Sequence, residues 1–480
     1  MTISDARVII FTPGADPQSS IGASDAAESH AGLVEGLARL GWPCVVIRDL
    51  TAAIDLIRVS PVQAILMDAR HHPASAIRAA DALRAALTPR HTPILGLGAA
   101  IHGAEILGRF DLAMGSDIHP AQAAMRLDQL ARAAVAEEEL ALRSETFASR
   151  LLAPLRVSPS DEPLQVLTVG EPAPKFLALN HDLRALGIET TGAFTAYTAF
   201  DYLHERPFDA VVLWSGDTHA EALSIAGGMR RNTRLFHIPT VLSLRPGVQI
   251  ATADAYHRGL SDIFSAHTPA QESATRVLAL ARRYRHETAI RDALDLSCFG
   301  GLMESATGLF TRDLFAAHLA RLAAAASARR RPLTVAVLRI ADRPDALRAR
   351  AEGWMDRAVP QIGSMIGRLV RAEDTAARLA SDVFALALPA ATAAAGRITA
   401  ERIAAVIACT AFEADEETPP FAVDFDIGVA QLEPGESAAH ALERAAHGAL
   451  SRAAEPVYEL GIKELPGTDD RLHRRQDREV

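Results

Sequence analysis

Arg371 and Asp374, in Arg371-Ala-Glu-Asp374, are the pair with the clearest chemistry in this sequence. A guanidinium is a planar fork of donors that meets two in-plane acceptors at once, such as O6 and N7 of guanine. A carboxylate accepts from the N1–H and N2–H2 donors of the same base. The spacing alone does not single the pair out. It recurs at Arg78/Asp81, Arg206/Asp209, Arg339/Asp342 and Arg474/Asp477, where helix-face or loop charge accounts for it. Surroundings set the pair apart: Asp374 stands six residues before Ala380-Ser381-Asp382-Val383-Phe384, Arg371 stands 15 after Asp356, and Asp356 stands 17 after Arg339. A second candidate is Asp68, which ends the apolar run Ala64-Ile-Leu-Met-Asp68. It is a candidate phosphoacceptor, or else a strand-end carboxylate that caps the following loop. Phosphoryl transfer to it calls for a metal held by neighbouring carboxylates, and the turn after the first apolar run is Phe11-Thr12-Pro13-Gly14, without an acid. His71-His72 has no histidine four residues on, and Cys44, Cys298 and Cys409 are isolated, so no metal site is expected.

The elements that must position these residues follow a repeated grammar. In the first segment, short apolar runs at 7–11, 44–48, 64–68, 93–97 and 111–114 alternate with helical stretches near 27–40, 51–59 and 74–87, and a long Ala-rich helix starts near Pro120. In the second, runs at 164–169, 209–214, 239–243 and 262–264 lead to a helix from Pro269. Continuous apolar strands between amphipathic helices predict two doubly wound parallel sheets, an α/β class. The expected division is 1–143, 160–290 and 300–460, with a linker over 144–162, a helical connector over 280–303 and a disordered, highly charged tail at 463–480. A chain of 480 residues with 49% hydrophobic content suits about three packed domains. The net charge of −10 argues against a general nucleic-acid surface. The scattered cysteines suit a reducing compartment. The first residues carry no basic stretch leading into an apolar run, and no apolar run approaches the roughly 20 residues of a membrane span. A cytoplasmic protein without membrane insertion is expected.

The first two segments resemble the flavodoxin-like (βα)5 receiver domains of response regulators. A receiver carries an acidic pair after its first strand, an Asp ending the third and a Lys after the fifth. The first segment keeps Asp68, and its lysine position falls near Gly115. The second has Trp214 at the acceptor position, Ala266 near the lysine position and Glu171 alone of the acidic pair, which implies a structural or dimerisation module. Residues 304–454 resemble the GGDEF (diguanylate cyclase) family, a nucleotidyl-cyclase-like α+β fold. The resemblance rests on the opening Glu304-Ser-Ala-Thr-Gly-Leu-Phe-Thr-Arg312, the strand Leu333–Ile340, the late strand Asp426-Ile-Gly-Val-Ala430 and the register given above. It implies that Arg371 and Asp374 form the family's Arg-x-x-Asp product site for cyclic di-GMP, with Arg402 completing the pocket.

The same resemblance implies a degenerate active site. The family's Gly-Gly-(Asp/Glu)-Glu-Phe hairpin reads Ala380-Ser381-Asp382-Val383-Phe384. The metal carboxylate of the first strand is Arg339, Asp382 retains the second, the guanine-contacting Asn is Leu347, Asp356 remains at the other guanine contact, and the late Lys is Ala454. A cation at position 339 repels Mg2+, so neither Mg2+ nor catalysis is expected, and Arg339 is expected to pair with Asp382 across the old metal position. Receiver, receiver and degenerate GGDEF domain together resemble the PopA type of cyclic di-GMP effector, an inactive relative of PleD-type response-regulator cyclases. That resemblance implies a homodimeric signalling adaptor in cell-cycle control, which brings a CtrA-like regulator to ClpXP through an RcdA-like adaptor at the cell pole. Two alternatives remain: a weak, GTP-binding diguanylate cyclase, supported by Asp356 and Asp382, and a phosphorylation-gated scaffold with a vestigial nucleotide site, supported by Asp68.

Overall fold

The computed structural model describes residues 7–14, 25–60, 62–87, 92–98, 109–116, 118–150, 155, 157, 161–216, 219–297 and 303–453. Cys298, Ala454 and the expected tail at 463–480 lie outside them.

The first unit comprises β1 (Val8–Phe11), α1 (Asp25–Arg39), β2 (Cys44–Ile47), α2 (Leu50–Val59), β3 (Ala64–Asp68), α3 (Pro73–Leu87), β4 (Ile94–Leu97), β5 (Leu112–Met114) and α4 (Pro120–Ala148). Its strands run parallel in the order β2-β1-β3-β4-β5. Every residue of β1, β3, β4 and β5 is buried, which is why these strands read as unbroken apolar runs. The second unit comprises β6 (Gln165–Val169), α5 (Pro174–Ala185), β7 (Glu189–Ala193), α6 (Ala196–Glu205), β8 (Ala210–Trp214), α7 (Ala220–Arg231), β9 (Thr240–Ser243), α8 (Thr252–His257), β10 (Asp262–Phe264) and α9 (Ala270–Leu296). It repeats the topology, with order β10-β9-β8-β6-β7. Sequence reading missed β7, Glu-Thr-Thr-Gly-Ala. An edge strand with little burial needs no apolar run.

One hydrophobic cluster runs through both units, from Ile9 and Leu66 to Phe176, Trp214 and Val277. In the expected linker, 144–148 are helical, because α4 continues to Ala148. Phe147 is 3% exposed and packs on Phe310 of the third domain at 6.1 Å between ring centroids, which holds the last turn of the helix in place.

The third domain comprises β11 (Phe310–Thr311), α10 (Arg312–Arg329), β12 (Leu333–Ile340), α11 (Pro344–Ala351), α12 (Met355–Leu369), β13 (Thr375–Ala380), β14 (Val383–Pro389), α13 (Ala393–Ala408), β15 (Phe425–Gln431) and α14 (Ala438–Ala453). Its sheet order is β11-β13-β14-β12-β15, antiparallel except for the β11–β13 pair. Thr311 caps α10 by accepting from Leu314 N–H, and Pro344 opens α11. Gly428 of β15 lets α14 lie directly on the sheet: a Cβ there would stand 1.8 Å from the carbonyl oxygen of Ala445. Among the described residues no helix is long and apolar enough to cross a membrane.

Candidate functional site

Arg371 and Asp374 occupy the turn that joins α12 to β13. The turn closes on itself: Asp374 N–H donates to Arg371 O at 3.0 Å, and Arg371 N–H donates to Asp374 Oδ2 at 3.0 Å. The carboxylate therefore serves the turn first, and the Arg371 side chain is turned outward, 64% exposed and 4.0 Å from Glu373. Burial, followed by the negative charge of Glu373, pushes the Asp374 carboxyl up to about 7, against the weaker pull of the Arg371 N–H and guanidinium. Arg402, on α13, donates to Leu369 O at 2.9 Å, which brings it to the end of α12 two residues before Arg371. The structure thus gathers Arg371, Asp374 and Arg402 at one end of α12.

Sequence reasoning did not find what lies beneath this turn. Arg143 of α4 is 2% exposed and donates Nη2 to Thr375 Oγ1 at 3.2 Å, Asp374 O at 3.3 Å and Ala372 O at 3.4 Å. Its Nη1 donates to Ser297 Oγ at 3.0 Å. Its charge is met by Glu139 at 2.8 Å, which also stands 2.9 Å from His318 Nε2 of α10. Burial alone would raise the Glu139 carboxyl, but His318 and Arg143 hold it below its usual value. The single available signal was the Glu139/Arg143 spacing of one helical turn, which is equally common on solvated helix faces.

The hairpin β13–β14 turns through Ser381 and Asp382, with Ala380 paired to Val383 and a register shift between Arg378 and Ala380. Neither tip residue has positive φ, so the shifted register takes the place of the left-handed turn that glycine would allow. The expected Arg339–Asp382 ion pair does not form. Arg339 pairs with Asp342 and, at 3.3 Å, with Asp426, its direct neighbour in the β12–β15 register. Asp382 is instead met by Arg350 at 3.4 Å, and Arg350 also pairs with Asp342. Arg339 stands opposite Val383 and Asp426 and shares their side of the sheet, whereas Asp382 lies one step along, opposite Ile340, whose side chain faces the other way. Arg378 closes the tip from the other side, donating to Ala380 O at 3.2 Å and Ser381 O at 3.1 Å while pairing with Glu304 at 3.2 Å. Leu347 is half exposed on α11, and Asp356 lies exposed in the first turn of α12.

The residues at this hairpin do not fit a divalent cation. Two guanidinium groups stand among Asp342, Asp382 and Asp426, and among the described residues no group of three or more His, Cys, Asp or Glu is arranged to hold a metal.

In the first unit Asp68 is 3% exposed and saturated. Oδ1 accepts from Arg70 N–H and Nε, each at 3.0 Å, and Oδ2 accepts from Arg70 Nη2 at 2.9 Å and lies 3.0 Å from His30 Nε2. Burial would raise this carboxyl, but the hydrogen bonds from His30 and Arg70 outweigh it and hold the group well below the usual carboxylate range. In the second unit Trp214 fills the corresponding strand end, edge-on to Phe176 at 5.6 Å between ring centroids. Gly170, at φ +137°, makes room for it, since a Cβ there would lie 2.6 Å from that of Trp214. Glu171 pairs with Arg245 at 3.1 Å. Lys175, which the sequence reading passed over, donates to the carbonyls of Ser265 and Ala266, both at 2.9 Å.

The family model "Diguanylate cyclase, GGDEF domain" matches residues 302–456. No curated protein matches the chain. Among solved structures, the GGDEF domain of DgcB from Caulobacter crescentus in complex with c-di-GMP is 25% identical, with 32% of this chain and 87% of that one covered and a TM-score of 0.30. The GGDEF domain of FimX from Pseudomonas aeruginosa is 22% identical over 32% of this chain and 94% of that one, also with a TM-score of 0.30. Diguanylate cyclase SiaD from Pseudomonas aeruginosa, in complex with its activator SiaC, is 20% identical over 37% and 66%, with a TM-score of 0.30. Residues 302–456 of this chain are a GGDEF domain.

Proposed function

We propose that this protein senses cyclic di-GMP and does not make it. The observation that carries the reading is the contrast between two sites on one domain. At the hairpin Arg339 stands in place of one metal carboxylate of the family, the other, Asp382, is met by Arg350, and the tip carbonyls are capped by Arg378. At the other end of α12, Arg371 is presented outward on a turn that Asp374 holds. An outward fork suits the O6 and N7 acceptors of guanine, and Arg402 stands close enough to the turn to add phosphate or stacking contacts. Asp374 acts first as the residue that positions Arg371, and in its ionised form it can also accept from N1–H of guanine.

The two N-terminal units are read as receiver-type, flavodoxin-like modules, supported by their common strand order, and the boundaries follow the three sheets. Asp68 is read as a structural carboxylate, since Arg70 and His30 occupy the positions that a metal and phosphoryl oxygens would need. The adaptor role with RcdA-like, CtrA-like and ClpXP partners at the cell pole, and a homodimeric state, rest on resemblance of the three-unit order to PopA-type effectors. Calorimetric titration of the full chain with cyclic di-GMP tests the sensing role. Binding that is lost in Arg371→Ala, with no cyclic di-GMP formed from GTP and Mg2+, is the expected result. Turnover of GTP by the wild type would replace this reading with that of a weak cyclase.

A further inference from the structure

Arg230, Arg231 and Arg234 stand together at the end of α7, all exposed, and none of their side chains makes a hydrogen bond or ion pair among the described residues. The first two lie in the last helical turn, where the helix dipole accommodates a cation, and Arg234 lies beyond it. The segment that carries them is held in place. Asn232 accepts Arg234 N–H on Oδ1 at 2.9 Å, and its carbonyl accepts the N–H groups of Leu235 and Phe236 at 3.1 and 3.0 Å. Leu235 and Ile238 are anchored in the core of the second unit, while Phe236 is left 37% exposed with its ring 3.6 Å from that of His237. Burial pulls the His237 imidazole down to about 4, and the charges that add to the pull, Arg291, Arg132 and Arg230, are all positive.

The GGDEF domain carries the opposite arrangement. Glu413, Asp415, Glu416 and Glu417 are exposed, and the side chains of the three glutamates make no ion pair among the described residues. This loop too is held. Phe412 and Phe421 close its base with two backbone hydrogen bonds of 2.9 Å, and Asp415 Oδ1 accepts from Glu417 N–H at 3.1 Å and Thr418 N–H at 2.7 Å. Pro419 and Pro420, both exposed, follow the acids as Phe236 and His237 follow the arginines. A chain of net charge −10 repels its own copies at long range, so self-association calls for a surface where cations are left over. Charges already held in place lose little freedom on contact, and arginine beside an exposed aromatic ring is the composition of interface hot spots.

We propose that the basic segment at 230–237 binds the acidic loop at 413–420 of a second copy of this chain, with guanidinium–carboxylate pairs along the contact and the rings of Phe236 and His237 against Pro419 and Pro420. Two copies related by a two-fold axis make this contact twice. Exposed ion pairs are individually weak and are screened by salt, so the association weakens as ionic strength rises.

The test is sedimentation equilibrium of the full chain at low salt, as wild type, as Arg231→Glu/Arg234→Glu and as Glu416→Arg/Glu417→Arg. All four positions are exposed, and far-ultraviolet circular dichroism checks that each variant folds. No nucleotide is present, so the outcome is independent of the sensing role proposed for Arg371. The expected result is self-association of the wild type and a dissociation constant raised by about tenfold or more in either variant alone. An equimolar mixture of the two variants should regain the association, because each reversed loop then meets a reversed partner and each unreversed loop its natural one. A wild type that stays monomeric, variants that associate as the wild type does, or a mixture no better than its components would each overturn the proposal.

Discussion

Asp374 decides how the candidate site responds to pH. Its carboxyl is pushed up to about 7 in the fold, whereas an unfolded aspartate titrates near 3.9. Between about pH 4 and 7 the native state binds the extra proton, so this group makes stability fall as pH rises through that window. Asp374→Asn keeps an acceptor for Arg371 N–H and removes the titration. It should flatten the slope of melting temperature against pH between about 5 and 7, measured by thermal unfolding. Ligand binding should show the opposite trend, tightening as pH rises past about 7, because the ionised carboxylate is the better acceptor for guanine N1–H. At this scale the sequence was legible in part. It pointed to Arg371, Asp374 and Arg402, and the structure brings them to one end of α12. It also singled out Arg339, but gave it the wrong partner. Charge type can be read from a string, whereas which of several acids lies nearest depends on strand register, and Asp426 is 87 residues away along the chain.

Strands and helices divide by how much of each is buried. β1, β3, β4 and β8 are buried throughout and were evident as apolar runs. β7 sits at a sheet edge with β6 as its one strand neighbour, and of its five residues Ala193 alone is buried in the core, so nothing in Glu-Thr-Thr-Gly-Ala announces it. The expected linker began at Ser144, whereas α4 runs on to Ala148, because its last turn is held by the packing of Phe147 and not by local signals. At β15 the fit of helix to sheet is closest. Gly428 faces Gly448 of α14: a Cβ added at Gly448 would lie 3.4 Å from Gly428 Cα, and one added at Gly428 would lie 1.8 Å from Ala445 O and 2.5 Å from Ala449 N. Gly428→Val would force α14 off the sheet at a cost of about 3 kcal/mol or more. Urea unfolding should show the loss as a lower midpoint, and an unchanged midpoint would mean that α14 is not seated as described.

Across the whole molecule, Arg143 is the residue on which the three units converge. It leaves α4, meets Ser297 just past α9, and grips the turn at 372–375 in the GGDEF domain. Removing one charge of a buried, hydrogen-bonded pair typically costs about 3–5 kcal/mol, and here it would leave Glu139 with His318 and Thr375 alone. Arg143→Met should therefore destabilise the chain by about that amount. It should also separate the melting of the GGDEF domain from that of the first unit, resolved by scanning calorimetry. One unsplit transition at the wild-type temperature would show that the network is dispensable.

The grip of Arg143 on the Ala372 and Asp374 carbonyls also bears on how a signal could cross this protein. The turn that presents Arg371 cannot change shape without changing the hydrogen bonds of a helix that belongs to the first unit. Free energy exchanged between two such places is reciprocal. On the sensing role proposed for Arg371, a partner that shifts α4 would alter the affinity at Arg371, and ligand there would alter the affinity for that partner by the same factor. Effector and ligand would then be interchangeable roles, coupled through one shared guanidinium.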